Sequence, residues 1–146
     1  AGARYWYLVN LGSWAELYGT LAAAKEGVAS IMRDHAEEII SLEPDYGNGG
    51  GYFMLGAVHF KSPYIPFLLS WPSNDKAIEY LSKAYNTGQK RPSQAVYLAR
   101  AFYKEGKKDD ARALLHQLLK QPFSESEPVE DFEQHEIARN LLNDWE

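Results

Sequence analysis

Apolar residues recur at helical intervals along most of the chain. Over residues 5–21 they fall at steps of three and four, with few charges between them. This period predicts an amphipathic α-helix. Similar patterns, bounded by Pro, Gly or capping residues, predict six further helices and no strand. The predicted further helices cover about 25–42, 52–60, 74–86, 92–106, 108–120 and 129–145.

The segments between the predicted helices disfavour helix for identifiable reasons. Pro44 ends the second helix at the residue before it, and residues 45–51 form a loop by composition. Three prolines exclude a long helix over residues 62–72. Ser73 or Asn74 is the predicted cap of the fourth helix, because short polar side chains favour that position.

An internal repeat is the strongest feature of the sequence. Gly56 and Ala99 align as small, close-contact positions in the first helices of two pairs, but they are 43 residues apart. The earlier pair therefore has about nine extra residues, which we place at 62–73. In the second helices a spacing of 34 residues, the tetratricopeptide period, relates three apolar positions: Ala77, Leu81 and Ala84 return as Ala111, Leu115 and Leu118.

The sequence therefore predicts an all-α fold, a tetratricopeptide-like solenoid of helix pairs. About seven helices would form three pairs and a C-terminal capping helix. We predict a single domain over residues 1–146, with an apolar, proline-rich insertion at about 62–73. The capping helix would pack through its apolar residues Val129, Phe132, Ala138, Leu141, Leu142 and Trp145.

Composition removes several classes of function. The 146 residues contain no cysteine, which excludes disulfides, thiolate metal sites and cysteine nucleophiles. A net charge of -5 argues against nucleic acid as a partner. No apolar run approaches the roughly 20 residues that span a bilayer. The chain begins at Ala1 without a leader, so we expect that a leader was removed or the chain was trimmed.

The insertion is the first candidate binding surface. Aromatic and aliphatic side chains crowd a segment where contact with water is expected, and an exposed apolar patch usually marks an interface or a ligand groove. The alternative, which we weight equally, is that the segment folds back as core. The candidate binding residues here are Tyr64, Phe67, Leu68 and Trp71.

The first helix provides a second candidate surface, consisting of Trp6, Asn10 and Trp14. Packing of this helix on its neighbour is the favoured alternative by about two to one. Asn10 is the exception in the apolar run, because a buried amide must be satisfied. A ligand or a partner backbone could supply its hydrogen bonds.

The third helix contributes Tyr52 and His59 as candidate groove residues. His35 with Glu38, and Asp131 with His135, have helical spacings, but two ligands do not make a metal site. We interpret both pairs as solvated contacts. The glycines of residues 47–51 could hold an anion before a helix, although a role in the turn is favoured. We predict no catalytic residue, no metal and no cofactor.

Several segments in order resemble one family. They are Trp-Tyr-Leu-Val-Asn-Leu-Gly-Ser-Trp at 6–14, Pro-Asp-Tyr-Gly-Asn-Gly-Gly-Gly-Tyr at 44–52, Leu55-Gly56, the prolines at 63 and 66, and Asp-Lys-Ala to Lys-Ala-Tyr at 75–85. Over roughly residues 5–119 the chain is similar to the T-component (TatT-like) family associated with tripartite ATP-independent periplasmic transporters.

The resemblance implies a periplasmic and often lipid-anchored protein of tetratricopeptide-like helix pairs. It also implies a homo-oligomer and a partnership with a periplasmic substrate-binding protein, with a small hydrophobic ligand held nearby. The anchor cysteine is missing, which fits a trimmed chain. A generic tetratricopeptide scaffold that binds peptide segments, with a cytoplasmic location, is the alternative. An enzyme would need titratable groups that converge in one cleft.

Overall fold

The computed structural model describes residues 1–19, 22 and 27–146. These residues form seven α-helices and no β-strand, which confirms the all-α prediction. The predicted end of the first helix, at residue 21, and the predicted start of the second, near residue 25, lie outside the described residues. The chain divides into two compact units, Ala1–Gln89 (unit 1) and Lys90–Glu146 (unit 2).

The described residues of unit 1 form four helices around two small apolar clusters. One cluster joins Leu8, Ala36, Ile39 and Leu55, and the other joins Ala29, Val58 and Leu69. Burial of these side chains is the main contribution to the stability of the unit. The four helices are α1 (Gly2–Tyr18), α2 (Val28–Leu42), α3 (Tyr46–Lys61) and α4 (Asn74–Tyr85).

The glycine-rich segment at the start of α3 is only in part the loop that the sequence predicts. The helix begins at Tyr46, but three residues, Gly47, Asn48 and Gly49, have left-handed backbone angles, with φ of 58°, 58° and 81°. Glycine adopts such angles without steric cost. The Asn48 side-chain oxygen accepts a hydrogen bond from the Gln89 N–H at 3.1 Å. These residues therefore form a hydrogen-bonded turn, which agrees with the favoured interpretation that the glycines serve a turn.

Helix α4 begins as predicted and lies very close to α3. Ser73 is its N-cap, and the Ser73 hydroxyl accepts a hydrogen bond from the Lys76 N–H at 3.4 Å. A Cβ atom at Gly56 would lie 2.6 Å from the Leu81 side chain and 2.9 Å from the Leu81 backbone nitrogen. Gly56 is therefore a close-contact position, as predicted.

Unit 2 is a group of three helices, α5 (Pro92–Lys104), α6 (Lys108–Leu118) and α7 (Pro128–Asp144). Ala99, the counterpart of Gly56, is fully buried. The stacking of all helix pairs into one solenoid, and with it a single domain over residues 1–146, remains a prediction. All six positions of the 34-residue repeat are fully buried: Ala77, Leu81, Ala84, Ala111, Leu115 and Leu118.

The buried side of α7 differs from the prediction. Val129 and Phe132, which we expected to pack inward, are 71% and 51% exposed. A stripe of polar and apolar residues is buried in their place. Its members lie three or four residues apart and therefore share one face of the helix. At the end of this helix the Trp145 ring stacks on Tyr103, with ring centroids 4.1 Å apart. The buried residues of α7 are Asp131, His135, Ala138 and Leu142.

The close approach of α3 and α4 generates the first prediction. Gly56→Ala should lower the free energy of unfolding by about 1–3 kcal/mol, because the new methyl group overlaps the backbone and side chain of Leu81. Chemical denaturation followed by circular dichroism measures this change. Gly12→Ala is the matched control, since its methyl group would meet only the flexible Met32 side chain at 3.4 Å. The control should be neutral or up to about 1 kcal/mol more stable, and equal losses would contradict the contact.

Candidate functional site

The α1 surface is tied to α2 by Arg4. The Arg4 guanidinium donates to Nδ1 of His35 at 3.0 Å and forms an ion pair with Glu38. His35 and Glu38 therefore share a partner on another helix, and the Glu38 side chain remains 46% exposed, as expected for a solvated contact. Tyr7 packs edge-on against His35, with ring centroids 5.1 Å apart.

Two of the three candidate residues of α1, Trp6 and Asn10, are exposed, and Trp14 is half-buried. Trp6 is 61% exposed, and Trp14 stacks on Tyr18 with centroids 4.9 Å apart. Asn10 is also exposed, so the premise of a buried amide is wrong. Its side-chain nitrogen donates to the Trp6 carbonyl at 3.0 Å, within the same helix. No ligand is needed to satisfy this donor.

The insertion is divided between core and surface, so each of the two interpretations is right for part of it. Leu69 is buried with Ala29 and Val58, and Ile65 and Trp71 pack against the same cluster. The outward side chains are those of Tyr64, Phe67 and Leu68. Three of the four candidate residues of the insertion are thus exposed, while Trp71 is half-buried.

A tight turn presents Phe67 to solvent. The Leu68 N–H donates to the Ile65 carbonyl at 3.2 Å, and Ile65 and Leu69 exchange two backbone hydrogen bonds of 2.8 and 2.7 Å. Pro66 occupies the second position of this turn and Phe67 the third, where φ is 65°. A positive φ at the third position is typical of a type II turn and favours glycine. The fully exposed Phe67 therefore sits in a strained backbone conformation.

His59 is the centre of a group of aromatic rings behind the turn. It is 8% exposed, its ring stacks on Tyr80 at 5.7 Å, and it meets Trp71 edge-on at 5.0 Å. Its Nδ1 atom accepts a hydrogen bond from the Ser73 N–H at 3.2 Å. That acceptor role holds His59 in one tautomer, with the proton on Nε2.

Cationic side chains extend this group on both sides. Arg33 lies 4.7 Å from the centre of the Trp71 ring, and Lys83 lies 5.2 Å from that of Tyr80 and 6.0 Å from that of Tyr52. Such contacts are attractive because the face of an aromatic ring carries negative potential. We refer to these residues as the ring–cation array: Arg33, Tyr52, His59, Trp71, Tyr80 and Lys83.

The electrostatics of the array follow from burial and two neighbouring lysines. Burial lowers the pKa of His59 below 6.5, and the charges of Lys76 and Arg33 lower it further. Glu79 accepts hydrogen bonds from Lys76 at 2.8 Å and Lys83 at 2.9 Å, and these lower its pKa to about 2. His59 is therefore neutral and Glu79 ionised at neutral pH.

Unit 2 contains a separate buried polar pair, which corrects our interpretation of Asp131 and His135 as solvated. They are 5% and 3% exposed. Asp131 accepts a hydrogen bond from the Ser124 N–H at 2.6 Å, and the His135 ring packs on Phe123 with centroids 4.9 Å apart. Burial, and then the charge of Arg139, lower the pKa of His135.

The structure thus brings three predicted residues together, Tyr52, His59 and Trp71, and adds partners that the sequence analysis missed. Lys83 and Tyr80 had a usable signal in the sequence. Lys83 follows Glu79 by about one helical turn on α4, and Tyr80 is the residue next to Glu79. Arg33 had none, because its contact with Trp71 is long-range. Within the described ranges, no group of three or more metal-ligating side chains is found.

No helix in the described part of the chain is long and apolar enough to cross a membrane. Comparison with models of protein families finds no family that matches the chain. A search of curated proteins likewise finds no match.

The burial of His59 generates a pH-dependent prediction. Since its pKa is lowered in the folded chain, the unfolded chain takes up a proton first as pH falls below 6.5. Stability should therefore be fully present above about pH 6.5 and decrease on acidification. His59→Asn, which retains an acceptor for the Ser73 N–H, should reduce this dependence in thermal unfolding between pH 7.5 and 5.5. An unchanged dependence, equal to that of the control variant His116→Asn at an exposed position, would contradict it.

The positive φ of Phe67 generates a prediction about stability. Phe67→Gly should relieve about 1–2 kcal/mol of backbone strain and lose about 0.4–1 kcal/mol to the freer unfolded chain. The net result is roughly 0–1.6 kcal/mol of added stability, measured by thermal or chemical unfolding. Tyr64→Gly, at an exposed position without positive φ, has no strain to relieve and should be less stable than wild type. A loss of stability in Phe67→Gly would show that the ring has a packing role.

Proposed function

We propose that the protein is a non-catalytic binding protein that docks a protein partner through the ring–cation array. By its resemblance to the T-component family, the partner would be a periplasmic substrate-binding protein, and the role would be accessory to solute uptake across the bacterial envelope. A small apolar ligand and a homo-oligomer belong to the same proposal. The location would be periplasmic.

The observation that carries this proposal is the composition and construction of the array. Its side chains come from α2, α3, the insertion and α4, so one surface is shared by four segments of unit 1. Tyr, Trp and Arg are enriched where proteins bind one another, because they combine large contact area with hydrogen-bonding groups. Arg33 and Lys83 remain 31% and 48% exposed and can therefore reach a partner.

The chemistry of the array favours binding over catalysis. Nδ1 of His59, the nitrogen that would act as a general base, is occupied by the Ser73 N–H. Glu79 is held as a carboxylate by two lysines, and its lowered pKa makes it a poor proton donor. These groups stabilise one another and are not arranged around a site for a reacting atom.

A second candidate function is a scaffold for extended peptide segments. The mixture of Arg33, Lys83, Tyr52 and Tyr80 favours it, because peptide-binding helical repeats use such polar and aromatic side chains. A deep and mostly apolar cleft would instead favour a small ligand. The two candidates differ in whether the partner must be folded.

A binding experiment with periplasmic extract tests the proposal. Immobilised protein should retain a substrate-binding protein, identified by mass spectrometry, while Tyr52→Ala with Lys83→Ala should reduce its retention at least about tenfold, as expected when two contact residues are removed. The matched control is Lys120→Ala with Val129→Ala, two exposed residues in unit 2. Native mass spectrometry of the retained complex reports any small ligand and the number of copies.

The outcomes separate the candidates. Retention of a folded substrate-binding protein that depends on the array supports the transport-accessory function. Equal retention by unfolded or fragmented partners supports the peptide scaffold. Retention that is unchanged in the double variant of the array would overturn the proposed docking surface.

A further inference from the structure

Negative charge and exposed apolar side chains coincide in the last segment of unit 2. Residues 121–146 contain eight Asp and Glu residues and one Arg, whereas residues 90–120 contain eight Lys and Arg residues and three acidic ones. The structure describes every residue of this unit. All of its exposed large apolar side chains lie in the acidic segment: Phe123, Val129, Phe132 and Ile137.

The outward side of α7 combines both kinds of side chain. Its buried stripe lies on one side of the helix, so the exposed residues between the buried positions lie on the other. Phe123, in the loop before α7, extends this side, because its ring meets that of Phe132 edge-on with centroids 6.2 Å apart. We define the acidic–apolar face as six exposed residues near the start of α7: Val129, Glu130, Phe132, Glu133, Glu136 and Ile137.

The negative charge of this face is only partly balanced. Two arginines pair with one carboxylate each: Arg91 with Glu127 at 3.2 Å, and Arg139 with Glu136. Glu130 and Glu133 form no ion pair with any residue that the structure describes. Partial burial raises the pKa of Glu130, and the charge of Glu127 raises it further. The carboxylates therefore repel one another, and a cation brought to the face would relieve that repulsion.

Charge distinguishes among the occupants that such a face could take. Anionic lipid surfaces and nucleic acids would be repelled by the carboxylates, and insertion into neutral lipid would remove those carboxylates from water. A second copy of the chain is a poor complement. Its run of exposed lysines, at the turn between α5 and α6, is accompanied by as many acidic residues: Lys104, Lys107 and Lys108 with Glu105, Asp109 and Asp110.

We propose that the acidic–apolar face binds a cationic amphipathic segment of a partner protein, in which Lys or Arg residues flank apolar ones. Apolar side chains of the partner pack on Val129 and Phe132, and its cations pair with Glu130 and Glu133. Burial of apolar area provides affinity, while the charges provide specificity and a faster encounter. The face belongs to unit 2 and the ring–cation array to unit 1, so this inference does not rest on the proposed function.

Fluorescence polarisation of a labelled peptide with the full chain tests the proposal. The probe is a peptide of about 18 residues that contains only Leu and Lys, with Leu at helical steps of three and four. A second peptide has Glu in place of every Lys. Wild type should bind the Lys peptide and not the Glu peptide. An increase from about 0.1 to 1 M NaCl should weaken binding, because it shortens the screening length from about 10 to 3 Å.

Variants of the face separate its two contributions. Glu130→Gln with Glu133→Gln should weaken binding about threefold to tenfold at low salt, as loss of two ion pairs predicts. Phe132→Ser should weaken it about tenfold through loss of one packed ring. Val129→Ser, at a position that is 71% exposed, repeats the apolar test with less effect on the fold, and circular dichroism confirms that each variant is folded.

The matched controls lie outside the face. Glu105→Gln with Asp110→Asn removes two exposed charges from the other helices of unit 2, and Leu42→Ser removes an apolar side chain that is 61% exposed in unit 1. Both controls should bind the Lys peptide as wild type does. The double variant of the array, Tyr52→Ala with Lys83→Ala, should also bind normally, so that failure of one surface is distinguishable from failure of the other.

Three outcomes would overturn the proposal. One is equal weakening by the variants of the face and by their controls, which would show unspecific attraction to an acidic protein. Another is binding that is unaffected by both Phe132→Ser and Val129→Ser, which would show that the apolar side chains have no part in it. The third is absence of peptide binding together with self-association that Glu130→Gln and Glu133→Gln abolish, which would make the face a contact between copies of the chain.

Discussion

The close approach of α3 to α4 at Gly56 is the contact on which the rest of unit 1 depends. Tyr52, Gly56 and His59 lie on one face of α3, at steps of four and three residues. The absence of a side chain at Gly56 lets Leu81 approach. His59 and Tyr80 can then stack at 5.7 Å on the same side of the helix pair. One small residue thus determines both the packing of the pair and the geometry of the array.

The insertion is stable in its position because part of it is core. Leu69 is buried, and Ile65 and Trp71 pack beside it, so the intervening turn is held at both ends. An unfavourable angle at Phe67 persists only where the surrounding structure determines it. The apolar composition of this segment therefore has two causes. Half of the side chains anchor it to α2 and α3, and the other half are displayed by that anchoring.

The sequence predicts the helices and their contact positions well, because these depend on local and periodic information. Gly56 and the 34-residue repeat identify the buried positions of both second helices. The predicted loop at residues 45–51 is right in part, because the left-handed angles from Gly47 to Gly49 interrupt the helix and form a bonded turn within α3. Composition alone does not distinguish such a turn from a loop.

The site was less predictable because its contacts join distant parts of the chain. His59 could be placed near the insertion from the sequence, but its stacking on Tyr80 and the approach of Arg33 to Trp71 depend on packing among helices. The Asp131–His135 pair was misjudged for a related reason. Its helical spacing is the same in a solvated and in a buried pair, and the Ser124 N–H that satisfies Asp131 comes from outside the helix.

The hydrogen bond from Ser73 to His59 links the array to the fold. The Ser73 N–H donates to His59, while the Ser73 hydroxyl caps α4 by accepting from the Lys76 N–H. One residue therefore fixes both the tautomer of His59 and the start of the helix that carries Tyr80 and Lys83. A surface whose rings are held in this way loses little conformational entropy when it binds. Its affinity then depends on the few exposed cations and ring faces, since the buried part of the array is already ordered by folding.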